Sequence, residues 1–196
     1  MRLAAICLLA FALLMLPAVS RAQQVPVFAI TPEQSSITFN VAASVAIKGT
    51  FDKWDATLTF TSPDVTTGVL DVEIQAASVD TGSGLKNGKL KSADFFDVNN
   101  NPLITFKSTK LAQTGPNTFE VDGNFTIRGV TKSEKLTLEV SGKGTGSGAI
   151  NGTMAFDRKD YGMNSGIPFI KIADRVEVTV ALTGKRVSGP PLVFQQ

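Results

Sequence analysis

The stretch S-V-D-T-G-S-G-L-K-N-G-K-L-K-S-A-D-F-F-D-V-N-N-N-P-L-I-T-F-K-S-T, residues 78–109, decides how the chain is read. On either side of it apolar and polar residues alternate, the period of a half-buried strand. Within it the alternation stops. Gly82, Gly84 and Gly88 interrupt any strand, while Leu85, Leu90, Phe95 and Phe96 put large apolar groups into a polar connection. Long connections in compact domains are uncommon and often functional. This one is expected to form a lid or plug, a loop with or without a short helix, across one end of a sheet.

Upstream, Gly68 to Ala77 turns Leu70, Val72, Ile74 and Ala76 inward and Asp71, Glu73 and Gln75 to water. Trp54 to Phe60 does the same with Trp54, Ala56, Leu58 and Phe60. Ser36 to Ile47 reads as one long strand with Ile37, Phe39, Val41, Ala43, Val45 and Ile47 on one face. Downstream, inward sets recur as Ile104, Phe106 and Ser108, then Phe119, Val121, Gly123, Phe125 and Ile127. They continue with Leu136, Leu138 and Val140, with Ile150, Gly152, Met154 and Phe156, and with Val176, Val178, Val180 and Leu182. Turn chemistry separates them at Thr61–Asp64, Thr114–Asn117 and Arg128–Val130. Gly142–Gly148 lacks the lysine–serine ending of a phosphate loop and reads as a hairpin turn. Eight alternating segments without a long helix predict an all-β barrel or sandwich. A barrel of that size has room for one small ligand, and its aromatic interior is greasy whether or not it is hollow.

The N-terminus reads as a secretory leader. Arg2 precedes the apolar run Leu3–Leu16, Pro17 breaks it, and Ser20-Arg21-Ala22 offers small residues for cleavage after Ala22. Residues 1–22 are thus a signal peptide, 23–184 one domain, and 185–196, with Gly189-Pro190-Pro191, a loose tail. Losing Arg2 and Arg21 takes the basic residues from 19 to 17, against 17 acidic ones, so the exported chain is neutral. Neutrality gives no general reason to bind nucleic acid or anionic membrane. Cys7, the one cysteine, leaves with the leader, so the domain relies on its core without disulfides.

The sequence has no histidine. A Ser-His-Asp or Cys-His centre is therefore excluded, and the usual zinc donors are missing. Asp94 and Asp97 flank two phenylalanines and read as cap and turn residues. Asp97-x-Asn99-x-Asn101 begins like a calcium loop, but Pro102 and Ser108 stand where glycine and glutamate are needed. No cofactor, metal or catalytic residue is expected. Arg158, in Asp157-Arg158-Lys159-Asp160, is the charge of most interest. It faces a ligand head group as a planar donor, or it pins a loop by pairing with Asp157, Asp160 or Asp94.

Several motifs occur together and in order. They are Gly49-Thr50-Phe51, Ser78-Val79-Asp80-Thr81-Gly82, and Leu90-Lys91-Ser92-Ala93-Asp94-Phe95-Phe96-Asp97. Then come Pro102–Thr109, Gly123–Thr131 and Phe156–Gly162. In these the chain resembles the YceI-like family from about Val27 to Thr183. The resemblance implies an extended eight-stranded antiparallel, lipocalin-like barrel in the periplasm. It implies an apolar cavity for a long isoprenoid, polyprenyl or prenyl-quinone in type, and no catalysis. On that reading the wall is Phe39, Val41, Trp54, Leu58, Phe60, Val72, Ile74, Phe106, Phe125 and Phe156, with Phe95, Phe96 and Phe169 nearer the ends. Within Leu85–Leu90 a lysine stands where many members carry a histidine. The alternatives are a fatty acid or fatty amide in the same barrel, or a solid-core stress protein with a protein partner. A membrane-embedded barrel is disfavoured, since Trp54 and Tyr161 alone cannot make aromatic girdles. The oligomeric state, a homodimer included, is left open.

Overall fold

The structure, a computed structural model, describes residues 24–44, 46–166 and 170–195. The leader read over residues 1–22, together with Val45 and Phe169, lies outside the described residues. Among them no helix is long and apolar enough to cross a membrane.

Among the described residues the chain forms one antiparallel sheet of eleven strands and a single short α-helix. The strands are β1 (Val27–Ile30), β2 (Ser36–Ala43), β3 (Ile47–Phe51), β4 (Trp54–Thr59), β5 (Val69–Gln75) and β6 (Val79–Asp80). After α1 (Gly84–Lys91) come β7 (Leu103–Gln113), β8 (Thr118–Ile127), β9 (Val130–Val140), β10 (Ser147–Asp157) and β11 (Ile172–Ser188). The neighbours run β4-β5-β7-β8-β9-β10-β11-β2-β3-β6, with β1 also paired to β11.

Joined end to end, the eleven strands make eight runs, three of them broken once, and β1 is a strand that the sequence reading did not include. β1 and β2 lie end to end along β11. β3 runs into β4 over Asp52–Lys53, and β5 into β6 over a 3-10 turn at Ala76–Ser78. Backbone bonds cross that bend, from Gln75 N to Lys53 O at 2.9 Å and from Asp52 N to Ser78 O at 3.2 Å. The bent hairpin joins the two ends of the strand order and curls the sheet into a barrel. One part of the seam is only packed. β1 lies against β4, and among the described residues no ladder joins them.

The interior is what the alternation specifies. Leu70, Val72 and Ile74 of β5 are buried, as are Phe119, Val121, Phe125 and Ile127 of β8. Two glycines allow rings to lie flat on the wall. A Cβ on Gly123 would stand 2.8 Å from Phe106 Cε1 and 2.9 Å from Lys107 O. One on Gly49 would stand 2.6 Å from Phe39 Cε1. β7 bulges between Ser108 and Lys110, where Ser108 Oγ accepts the Leu70 N–H at 2.8 Å. The bulge therefore leaves no backbone donor of β5 unpaired there.

Two expectations are corrected. Ser36–Ile47 is not one strand. The chain reverses after Ala43, so that Val41 pairs with Ile47 and Phe39 with Gly49. Ala42-Ala43-Ser44 carries no Gly or Pro to mark the reversal. The loose tail expected from residue 185 is instead placed. β11 continues to Ser188, Val65 N donates to Val193 O at 3.0 Å, and Val193 N donates to Pro63 O at 2.8 Å. Leu192 and Phe194 pack on the core.

Candidate functional site: a divided apolar cavity

α1 is short and holds two glycines, which weaken a helix. Side chains pin its start. Asn87 Oδ1 accepts from Thr81 N at 2.9 Å and from Thr81 Oγ1 at 2.7 Å, while Asn87 Nδ2 donates to Asp80 Oδ1 at 3.0 Å. The turn after α1 then drives Phe95 and Phe96 inward, with Phe96 N bonded to Leu90 O at 2.9 Å. The Phe96 ring meets Phe51 at 5.9 Å and Phe39 at 6.5 Å. Leu90, Phe95 and Phe96 are buried as expected of a plug, whereas Leu85 is 88% exposed. Asp97 takes a positive φ of 51° and accepts from Asn100 and Asn101, the turn-forming role expected of it.

Polar ties hold this end together. Arg128, in the β8–β9 turn, donates to Ala93 O at 2.7 Å and to Gly162 O. Asp94 accepts from Lys89 at 2.5 Å and from Ser165 Oγ at 3.1 Å. The Lys89 hydrogen bond, then Ser165, holds the Asp94 carboxyl below its ordinary value. Tyr161 is fully buried against Phe156 and Phe125, at 5.2 and 5.5 Å, and donates its hydroxyl to Glu134 Oε1 at 2.7 Å. Burial, then the Glu134 bond, pushes its pKa well above the ordinary value.

Arg158 is buried, but its donors are spoken for. Nε bonds Ala173 O at 3.2 Å, Nη1 bonds Ser165 O at 3.0 Å and also Met163 O, and Nη2 reaches Asp174 Oδ1 at 3.1 Å. Its acidic partner is Asp174, not Asp157, Asp160 or Asp94. Asp157 instead caps the 3-10 turn by accepting the Lys159 N–H at 2.8 Å.

Among the described residues two adjoining cavities lie inside the barrel. The near one, of about 150 Å³, opens where the β9–β10 turn, the end of β11 and the tail converge. Apart from Ser141, Lys143, Ser147 and Arg186 at that mouth, every side chain that lines it among the described residues is apolar. The far one, of about 70 Å³, lies under the plug. Ile37, Ile74, Phe125 and Val178 border both and form a waist between them.

Most expected wall residues are brought together, but in two groups. Leu58, Phe60, Val72 and Phe106 line the near cavity, and Phe39, Val41, Phe95, Phe96 and Phe156 the far one, with Arg158 at its edge. Ile74 and Phe125 serve both. Trp54 is half-buried and lines neither, and Phe169 lies outside the described residues. The sequence reading missed Phe28 and Ile30 on β1, and Leu192 and Phe194 in the tail. Phe28 covers the packed seam, its ring 5.8 Å from that of Phe60. The apolar run Val27-Phe28-Ala29-Ile30 was the available signal, though without polar residues it does not mark an inner face; the tail's apolar residues carry no period.

The pattern of the family described as YceI-like domain matches residues 28–184. A UPF0312 protein of Pseudomonas savastanoi pv. phaseolicola is 33% identical over 133 residues, 65% of this chain and 69% of that protein. A UPF0312 protein of Azotobacter vinelandii is 27% identical over 143 residues, 70% and 73% of the two chains. The structure of BcnA from Burkholderia cenocepacia superimposes with a TM-score of 0.72 at 24% identity, covering 79% of this chain and 99% of that one. A polyisoprenoid binding domain from Saccharophagus degradans gives 0.66 at 17% identity, with 82% and 99% covered. These two share the fold. With the family pattern spanning most of its length, the chain belongs to the YceI-like family.

Proposed function

We propose that the protein binds one long apolar amphiphile, an isoprenoid of the polyprenyl or prenyl-quinone type, and carries it in the periplasm. The observation behind this is the near cavity, apolar everywhere except at its mouth. Burying each CH₂-sized group of a chain there gains roughly 0.8 kcal/mol, so a chain binds without polar contacts along its length. The name of the Saccharophagus degradans domain supports an isoprenoid, and the leader read over residues 1–22 supports export.

The dimensions add a requirement. A cavity of about 150 Å³ holds a group the size of one benzene ring. A chain of several prenyl units needs the waist at Ile37, Ile74, Phe125 and Val178 to open and join the two cavities. The tail, tied by the two backbone bonds of Val193, and the β1–β4 seam, which no ladder closes among the described residues, flank this mouth and are the proposed way in for the chain.

A titration with prenyl quinones of ~10, ~20 and ~40 carbons tests this, the gain per added unit following apolar burial. Trp54, the one tryptophan, pairs across the ladder with Ile74, so quinone quenching of its fluorescence reports occupancy at the waist. Affinity is expected to rise from the shortest chain to the longest. A second reading, a short amphiphile held in the near cavity alone, is favoured by the closed waist. Affinity that stops rising after the shortest chain selects it. Absence of saturable binding by all three contradicts both.

A further inference from the structure

We infer that the mouth of the near cavity binds an anionic head group, phosphate or carboxylate, through Lys143 and Arg186. The inference rests on the proposal that the barrel takes an apolar chain.

The charges at the two ends differ in kind. Among the described residues the far cavity has one charged lining residue, Arg158, and its guanidinium is bonded to three carbonyls and Asp174. The near cavity has, among the described residues, two, Lys143 and Arg186, and no acid. Among the described residues neither makes an ion pair. The fold brings them to one rim. Arg186 N donates to Gly146 O at 2.7 Å, holding the end of β11 to the turn that carries Lys143.

Their present partners are neutral. Arg186 Nη1 donates to Gly189 O, and Lys143 Nζ donates to Pro116 O. The Lys143 ammonium also stands 4.7 Å from the Phe194 ring centroid. An anion competes well against such partners, because it adds a Coulomb attraction that a neutral carbonyl lacks and offers the Arg186 guanidinium a bidentate acceptor. The walls enforce the orientation. An ionised head cannot be carried into an apolar interior without a partner, so the chain points inward and the head stops at the rim. Gly189 and Phe194 belong to the tail, so arrival of the head also loosens what holds the tail shut. This assigns the head-group role to the end opposite Arg158.

Calorimetric titration tests the site with geranylgeranyl monophosphate against geranylgeraniol, and with palmitate against hexadecanol. The proteins are the wild type and the double variant Lys143→Gln/Arg186→Gln, its fold checked by circular dichroism and thermal melting. Wild type is expected to prefer a charged probe over its alcohol by about tenfold or more, a preference that salt weakens. The charged probe that binds tighter identifies phosphate or carboxylate. The variant is expected to lose the preference and its salt dependence while binding the alcohols as wild type does. A wild type that does not distinguish charge overturns the inference and leaves the apolar-chain reading standing. Equal loss of charged and neutral probes in the variant also overturns it. Failure of all four probes to bind wild type overturns both.

Discussion

The ring of Phe194 meets the ring of Phe119 edge to face, with centroids 6.2 Å apart. One is near the end of the chain and the other is fully buried in β8, so the contact fastens the tail over the cavity mouth. An aromatic pair of this kind is worth ~1 kcal/mol, and the Lys143 contact adds ~0.5–1 kcal/mol. Ending the chain after Gly189 should lower stability by about 2 kcal/mol in urea unfolding. It should also speed association of a prenyl quinone in stopped-flow quenching of Trp54. Association at the wild-type rate would mean that the ligand enters elsewhere.

Gly123→Ala should destabilise the barrel by about 1–3 kcal/mol, the range for overpacking. The new methyl meets Phe106 and the Lys107 carbonyl, and a backbone atom cannot step aside as a flexible side chain does. Gly88→Ala is the control. Its Cβ meets nothing within 4 Å, and alanine favours the helix. Chemical denaturation of both variants should give opposite signs.

Phe125→Ala removes the largest side chain of the waist. It should cost about 3–5 kcal/mol of stability. It should also raise affinity for a long prenyl quinone relative to a short one by about fivefold, equivalent to ~1 kcal/mol. An unchanged ratio would place the constriction somewhere other than Phe125.

Tyr161→Phe should be less stable than wild type by about 1–2 kcal/mol near neutral pH, through loss of the Glu134 bond. Burial raises the folded-state pKa of Tyr161 above its ordinary 10.0. The unfolded chain therefore releases this proton first, and wild-type stability falls as pH rises beyond about 10. The phenylalanine variant has no such proton, so the gap between the two should narrow there. Thermal melts at pH 8, 10 and 11 would show it, and a constant gap would contradict the assignment.

Much of this fold was legible because its strands are half-buried. β5, β8 and β11 announce their inner faces by strict alternation, and the plug announces itself by Phe95-Phe96 in a polar run. The reversal after Ala43 was not legible, since Ala42-Ala43-Ser44 carries no Gly or Pro to mark it. The division of the cavity was not legible either. Periodicity tells which side chains face inward, but not that Phe125, Ile37, Ile74 and Val178 border both cavities. Arg158 was recognisable as unusual. Its partner Asp174 lies sixteen residues away on the start of β11, a pairing set by tertiary structure. The mouth residues Lys143 and Arg186 look like ordinary surface cations until register places them on one rim.

The central claim, that the barrel carries a lipid, is tested most directly by native mass spectrometry. The protein would be purified from the periplasm of cells expressing the full chain, and its organic extract identified. The account predicts a one-to-one complex that releases a polyprenyl or prenyl-quinone species on extraction. A bare polypeptide mass, with no uptake of added prenyl lipid, would contradict it and leave a barrel that packs only itself.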